Sequence, residues 1–195
     1  MGKQIKSKKR VADFGEVYTN EREVNAMLDL VREETEKITS TFLEPACGNG
    51  NFLVEILSRK LATVGRLYGS DMDSYRLHMI EAVTSIYGVD IQADNIQESR
   101  KRMLDICRKE YSGAYDMPLS DGVIRALECV MGRNIICGNT LTCLAEDGSP
   151  LCFSEWTLND KGMFERKDFL LSDLLENKEA DSITGSVAYD WRKVA

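Results

Sequence analysis

The chain has 195 residues, 43% of them apolar and 29% charged, which suits one soluble domain with its own hydrophobic core. No apolar run approaches the roughly 20 residues that span a bilayer, and no apolar segment follows the basic N-terminus. A membrane span and a signal peptide are therefore not expected, and the protein reads as cytoplasmic. A net charge of −7 argues against strong duplex DNA binding by this chain alone.

Taken in order, residues 1–12 form a basic tail carrying Lys3, Lys6, Lys8, Lys9 and Arg10. It is either a flexible solvated end or a phosphate contact. Val24, Met27, Leu28, Val31 and Ile38 fall at helical spacing and predict an amphipathic helix over 21–38, with Asn20 and Glu23 as its capping pair. A strand is expected at 41–46, then a helix over 51–62. Tyr75, Met79, Ile80, Val83 and Ile86 predict another helix after a turn at Gly69-Ser70-Asp71. A strand over 85–91 precedes a helix of roughly 17 residues marked by Ile96, Met103, Leu104, Cys107 and Tyr111. Val123, Ile124, Leu127, Val130 and Met131 mark one more helix, capped by Ser120 or Asp121. A third strand is expected over 134–141. Segments 151–158 and 163–171 flank Asn159-Asp160-Lys161-Gly162 as a hairpin, and residues 176–195 form a tail without pattern. Alternating strands and helices predict an α/β domain over 13–175, with a parallel, doubly wound sheet and a C-terminal hairpin.

Cys47, Cys107, Cys129, Cys137, Cys143 and Cys152 show no C-x-x-C spacing, and His78 is the only histidine. No metal site is expected, and the cysteines read as small, reduced packing residues.

The stretch Phe42-Leu43-Glu44-Pro45-Ala46-Cys47-Gly48-Asn49-Gly50-Asn51-Phe52-Leu53 reads as a buried strand, a tight turn and the start of a helix. Gly48 and Gly50 let the backbone bend sharply and let a ligand lie against it, and the helix N-terminus offers unpaired N–H groups to an anionic end. In parallel sheets ligands bind beyond the carboxyl ends of the strands. The second strand ends at Asp90, which reads as a ribose-hydroxyl acceptor or as a surface cap. The third ends at Gly138-Asn139, where Asn139 reads as an adenine contact or as a turn residue. Glu44 would face a ligand ammonium, or simply cap or pair. Cys47 has no base beside it and reads as core.

The glycine motif resembles the S-adenosylmethionine-binding motif of the adenine-N6 DNA methyltransferases of restriction–modification systems. Phe14-Gly15-Glu16-Val17-Tyr18-Thr19 with Glu23-Val24-Asn25-Ala26-Met27-Leu28 is similar to the segment that precedes that motif in the family. Gly88-Val89-Asp90-Ile91 resembles the family's second motif. Ile136-Cys137-Gly138-Asn139-Thr140-Leu141 resembles its third, with Asn139 where the family usually has Asp. The resemblance covers residues 13–141 and implies a Rossmann-like class I S-adenosylmethionine-dependent methyltransferase fold, or an incomplete version of one. It carries cofactor contact onto Tyr18, Thr19, Glu44, Pro45, Ala46, Cys47, Gly48, Gly50, Asn51, Phe52, Asp90, Ile91, Asn139 and Thr140. In the family the aromatic of the Tyr-Thr pair lies over the cofactor, and the Thr hydroxyl binds the methionine carboxylate. The long gap between Gly50 and Asp90 implies an inserted helix.

The family also needs an [Asn/Asp/Ser]-Pro-Pro-aromatic loop, which activates the exocyclic amine and stacks on the flipped base. The only prolines here are Pro45, Pro118 and Pro150, none adjacent to another. The expectation is a cofactor-binding subunit or fragment of an adenine-specific enzyme, inactive alone, whose partner is a second methyltransferase or specificity polypeptide, or a second copy. DNA would be reached through that complex. The alternatives are a catalytically inactive scaffold or sensor in a defence or mobile-element complex, and a small-molecule methyltransferase, which the Tyr-Thr segment suits less well. The family's topology places the first strand centrally, so its free flank would be covered by the 151–171 hairpin or by a partner.

Overall fold

The structure is a computed structural model and describes residues 7–14, 17–176 and 182–193. It is an α/β chain with a three-stranded parallel sheet and a separate three-stranded antiparallel sheet.

Helix α1 (Lys8–Phe14) lies in the basic segment, where Arg10 pairs with Asp94 at 2.6 Å; Lys3 and Lys6 lie outside the described residues. Helix α2 (Glu21–Asp29) begins as its residues require: the Asn20 side chain accepts from the Glu23 N–H at 3.0 Å, and Val24 and Leu28 are buried. It ends earlier than the spacing predicts. Val31 leaves the helical conformation, and a single turn, α3 (Arg32–Thr35), follows. The break has a physical cause. It turns Thr35 and Ile38 into the core and aims the carbonyls of Lys37, Ile38 and Ser40 at the buried Lys60 ammonium, at 2.9, 2.9 and 2.6 Å.

The parallel sheet consists of β1 (Phe42–Glu44), β2 (Ile86–Asp90) and β3 (Ile135–Cys137), in that spatial order. Glu44 sits opposite Gly88, and Asp90 opposite Cys137. Two helices link β1 to β2. The first is α4 (Asn51–Tyr68), longer than predicted because Leu61 and Val64 stay buried. The second is α5 (Met72–Thr84), which Asp71 caps by accepting from the Ser74 N–H. Helices α6 (Ala93–Tyr115) and α7 (Asp121–Asn134) link β2 to β3. Ser120 holds the capping position of α7, without a side-chain bond. Leu53, Leu57, Met79, Met103 and Leu127 from these helices form the main core.

The remaining chain forms β4 (Cys152–Leu158), β5 (Phe164–Leu170), the short α8 (Leu171–Leu175) and β6 (Val187–Tyr189). β4 and β5 make the expected hairpin over Asn159–Gly162, where Gly162 has φ +69° and the Asn159 N–H donates to the Met163 carbonyl. β6 pairs antiparallel with β5, and Trp191 is buried in the main core, so part of 176–195 is structured.

The hairpin does not complete the parallel sheet. Leu151, Phe153 and Leu171 pack with Val89 on the face of β2 opposite Leu53, and the Tyr87 hydroxyl donates to the Ser154 carbonyl at 3.0 Å. An apolar face drives this packing, whereas β5 takes β6 as its hydrogen-bonding neighbour. The expectation of a central first strand fails among the described residues: β2 is in the middle, and β1 pairs with β2 alone. Leu43 is 40% exposed on that open flank. No helix among the described residues is long and apolar enough to cross a membrane.

Candidate functional site

The glycine turn grows out of β1 at the carboxyl end of the parallel sheet. The Cys47 N–H donates to the Val89 carbonyl, so the chain stays tied to β2 up to the turn. Gly48 (φ +53°) and Gly50 (φ +86°) then take left-handed conformations that side chains resist. At Gly50 the room is also missing, since a Cβ would fall 2.8 Å from the Ser99 Oγ. Ser99 donates to the Gly48 carbonyl at 3.0 Å. The Arg102 Nη1 donates to the Asn49 carbonyl and the Asn51 Oδ1, at 2.7 and 2.8 Å.

Asp90 reaches the turn directly. Its Oδ2 accepts from the Gly48 N–H at 2.9 Å, and its Oδ1 accepts from the Gln92 N–H and the Asn95 Nδ2, at 2.8 and 3.2 Å. Tyr18 closes the cluster. A Cβ at Gly48 would meet its ring at 3.2 Å, and its hydroxyl donates to the Asn95 Oδ1 at 2.9 Å. Tyr18, Gly48 and Asp90, distant in sequence, thus meet at one point. The Thr19 carbonyl accepts from the Asn51 Nδ2 at 2.8 Å, tying the upstream segment to the start of α4. Gly15 and Glu16 of that segment lie outside the described residues.

Thr140 donates to the Pro45 carbonyl at 2.7 Å, so the loop after β3 crosses to the end of β1. Asn139 is exposed, and its Oδ1 accepts from the Leu141 N–H at 2.9 Å, which is the turn arrangement. Pro45, Ala46 and Ile91 are exposed around the same rim, and Phe52 is partly buried against the main core.

Glu44 is partly buried, and among the described residues no cation pairs with it. Burial pushes its carboxyl above the ordinary value, while the Ala46 N–H pulls the other way. Cys47 is buried, and burial together with the nearby Asp90 charge pushes its thiol up to about 12. A neutral thiol is no nucleophile, which agrees with the packing role. All six cysteines are free; Cys47 and Cys107 are buried and the other four only partly so. Among the described residues no group of metal-binding side chains occurs.

Sequence reasoning missed Asn95, Ser99 and Arg102. Their spacing of four and three residues puts them on one face of α6, a polar stripe where a buried helix face should be apolar. Beside the turn lies a cavity of about 530 Å³, walled by Tyr18–Asn25, the start of α4 and the Arg102 face of α6.

Comparison of the chain with protein-family models, curated proteins and solved structures finds no match.

Proposed function

We propose that this chain is the S-adenosylmethionine-binding subunit, or part, of an adenine-N6 DNA methyltransferase of a restriction–modification system, in a Rossmann-like class I fold. The catalytic loop is then supplied from elsewhere. The observation that carries the reading is the convergence at the carboxyl end of the parallel sheet. A two-glycine turn after β1, an acid closing β2, and an aromatic-Thr segment laid over the turn are held together by direct hydrogen bonds.

The residues suit the group. The missing Cβ atoms of Gly48 and Gly50 admit the Tyr18 ring and the Ser99 side chain against the turn, which fixes its shape. Glu44, raised by burial and without a cation beside it among the described residues, suits the cationic part of such a ligand, and Asp90 lies where ribose hydroxyls would be taken. When bound, S-adenosylmethionine supplies an electrophilic methyl group. This chain's residues would bind and orient it, and a partner's Pro-Pro-aromatic loop would present the adenine amine.

One observation favours a second reading, an inactive scaffold or sensor. Asp90 and Asn139 already spend oxygens on the chain's own loops. Calorimetry with S-adenosylmethionine separates the two: saturable binding is expected, and none would leave the scaffold. Radiolabel transfer to DNA should then require a second polypeptide. Transfer by the pure chain would show that the missing loop has been misplaced.

A further inference from the structure

A second cavity, of about 640 Å³, lies between the far halves of α4 and α6. Gly65 on its wall stands about four turns beyond Asn51, roughly 20 Å of helix from the glycine turn. Glycine inside a helix costs stability relative to alanine, and Gly65 and Gly113, in ordinary helical backbone, are not there to let the helices touch. A Cβ at Gly65 would meet only the Tyr75 Cε2, at 3.8 Å, and one at Gly113 would meet nothing within 4 Å. The two glycines leave room, and polar groups face it. Tyr75 is 2% exposed and lines the cavity, yet its hydroxyl has no hydrogen-bond partner among the described residues. The rings of Tyr111 and Tyr115 hold it from other sides, at 5.9 and 5.3 Å, and its Cε2, next to the phenol carbon, faces Gly65. Burial, and then the nearby Glu110 charge, pushes the phenol up to about 12, so it stays neutral and able to accept. Glu110 lines the same cavity, partly buried, and among the described residues no cation pairs with it. Lys109 is also at the rim but exposed, so water screens its charge more than that of Glu110. The balance favours a cation over an anion, beside an apolar surface of Leu61 and small residues.

We propose that this cavity binds a small organic cation, a primary amine on a compact apolar body. The Glu110 carboxylate takes the ammonium, the Tyr75 hydroxyl accepts from it, and the body fills the room left by Gly65 and Gly113. The volume falls within the range of about 300–1,000 Å³ found for small-ligand sites. This site is separate from the glycine turn and stands whether or not the chain binds S-adenosylmethionine.

The test is an amide NMR titration of the full chain with phenethylamine and with hydrocinnamate, a probe of similar size and opposite charge. Saturable shifts at the Gly65 and Gly113 amides are expected with the amine, at an affinity about tenfold or more above that for the anion. Glu110→Gln should erase most of that preference. Gly65→Leu puts a better helix former into the empty space, so it should abolish amine binding while the melting temperature holds or rises. If Gly65→Leu does not fold, Tyr75→Phe takes its place and should weaken amine binding severalfold. No saturable shift at the two glycines would overturn the assignment, as would equal affinity for the two probes. So would a preference unchanged by Glu110→Gln, or amine binding that survives a folded Gly65→Leu protein.

Discussion

Two carboxylates at the end of the parallel sheet do opposite things. Asp90 accepts three N–H donors from the turn and the start of α6, which ties the site together without a ligand, and it keeps part of its acceptor capacity for one. Asp90→Ala should weaken S-adenosylmethionine binding by about 1–3 kcal/mol, from lost acceptors alone. It should also lower the melting temperature, because the Gly48 N–H loses its partner; binding loss at unchanged stability would contradict that double role. Glu44 is the reverse case. Its carboxyl is raised in the folded state, so ionising it opposes folding, and that stability is lost as pH rises from the ordinary carboxylate range through the raised value. Glu44→Gln should therefore stabilise the free protein slightly at neutral pH, by under about 1 kcal/mol after solvent screening. The same change should weaken binding of a cationic ligand. Denaturant midpoints and calorimetry on the one variant check both halves, and a destabilised, fully binding Glu44→Gln protein would refute them.

At the scale of elements, the turn before α4 and the bend after α2 are each set by one unusual contact. Gly50 combines φ +86° with backbone and side-chain atoms of Ser99 where a Cβ would go. Gly50→Ala should cost about 2 kcal/mol or more in unfolding free energy. Adding Ser99→Gly should recover only the steric part; full recovery would show that φ is not strained. Lys60, fully buried on α4, replaces water around its ammonium with three carbonyls from the bend. Lys60→Met leaves those carbonyls without donors and should destabilise the fold by about 2–5 kcal/mol. Burial lowers the Lys60 pKa from 10.5 to about 7, so the folded state releases the proton first. Stability should consequently rise with pH between those two values, and Lys60→Met should flatten that rise in denaturant titrations. An unchanged slope would rule the lysine out as its source.

For the whole molecule, the question is the flank of β1. Among the described residues the strand pairs on one side only and leaves Leu43 40% exposed, while the hairpin covers a face of the sheet and not its edge. An unpaired strand edge is a template for another strand. The chain should associate with a partner polypeptide or with itself, and a partner bound there should protect the Leu43 amide from hydrogen exchange. Sedimentation as a strict monomer, together with no partner co-purifying from the native host, would count against this.

How much of this was legible in the sequence depended on how local each cause is. Apolar spacing of 3.6 residues placed the helices from α4 to α7, and the Asn20 cap is decided within four residues of chain. The glycine turn was legible for the same reason, since left-handed φ is a property of single residues. Contacts between distant segments were not. Nothing near Lys60 in the sequence marks it as buried; the break in α2 brings three carbonyls to it from 20 or more residues away. Asn95, Ser99 and Arg102 took on meaning only once α6 lay against the turn. Likewise the bond from the Leu141 N–H to Asn139 depends on the path of the loop after β3. Strand order escaped sequence reasoning altogether. Hydrogen bonds along a sheet do not depend on side-chain identity, and burying Leu151, Phe153 and Leu171 on the face of β2 left the edge of β1 open.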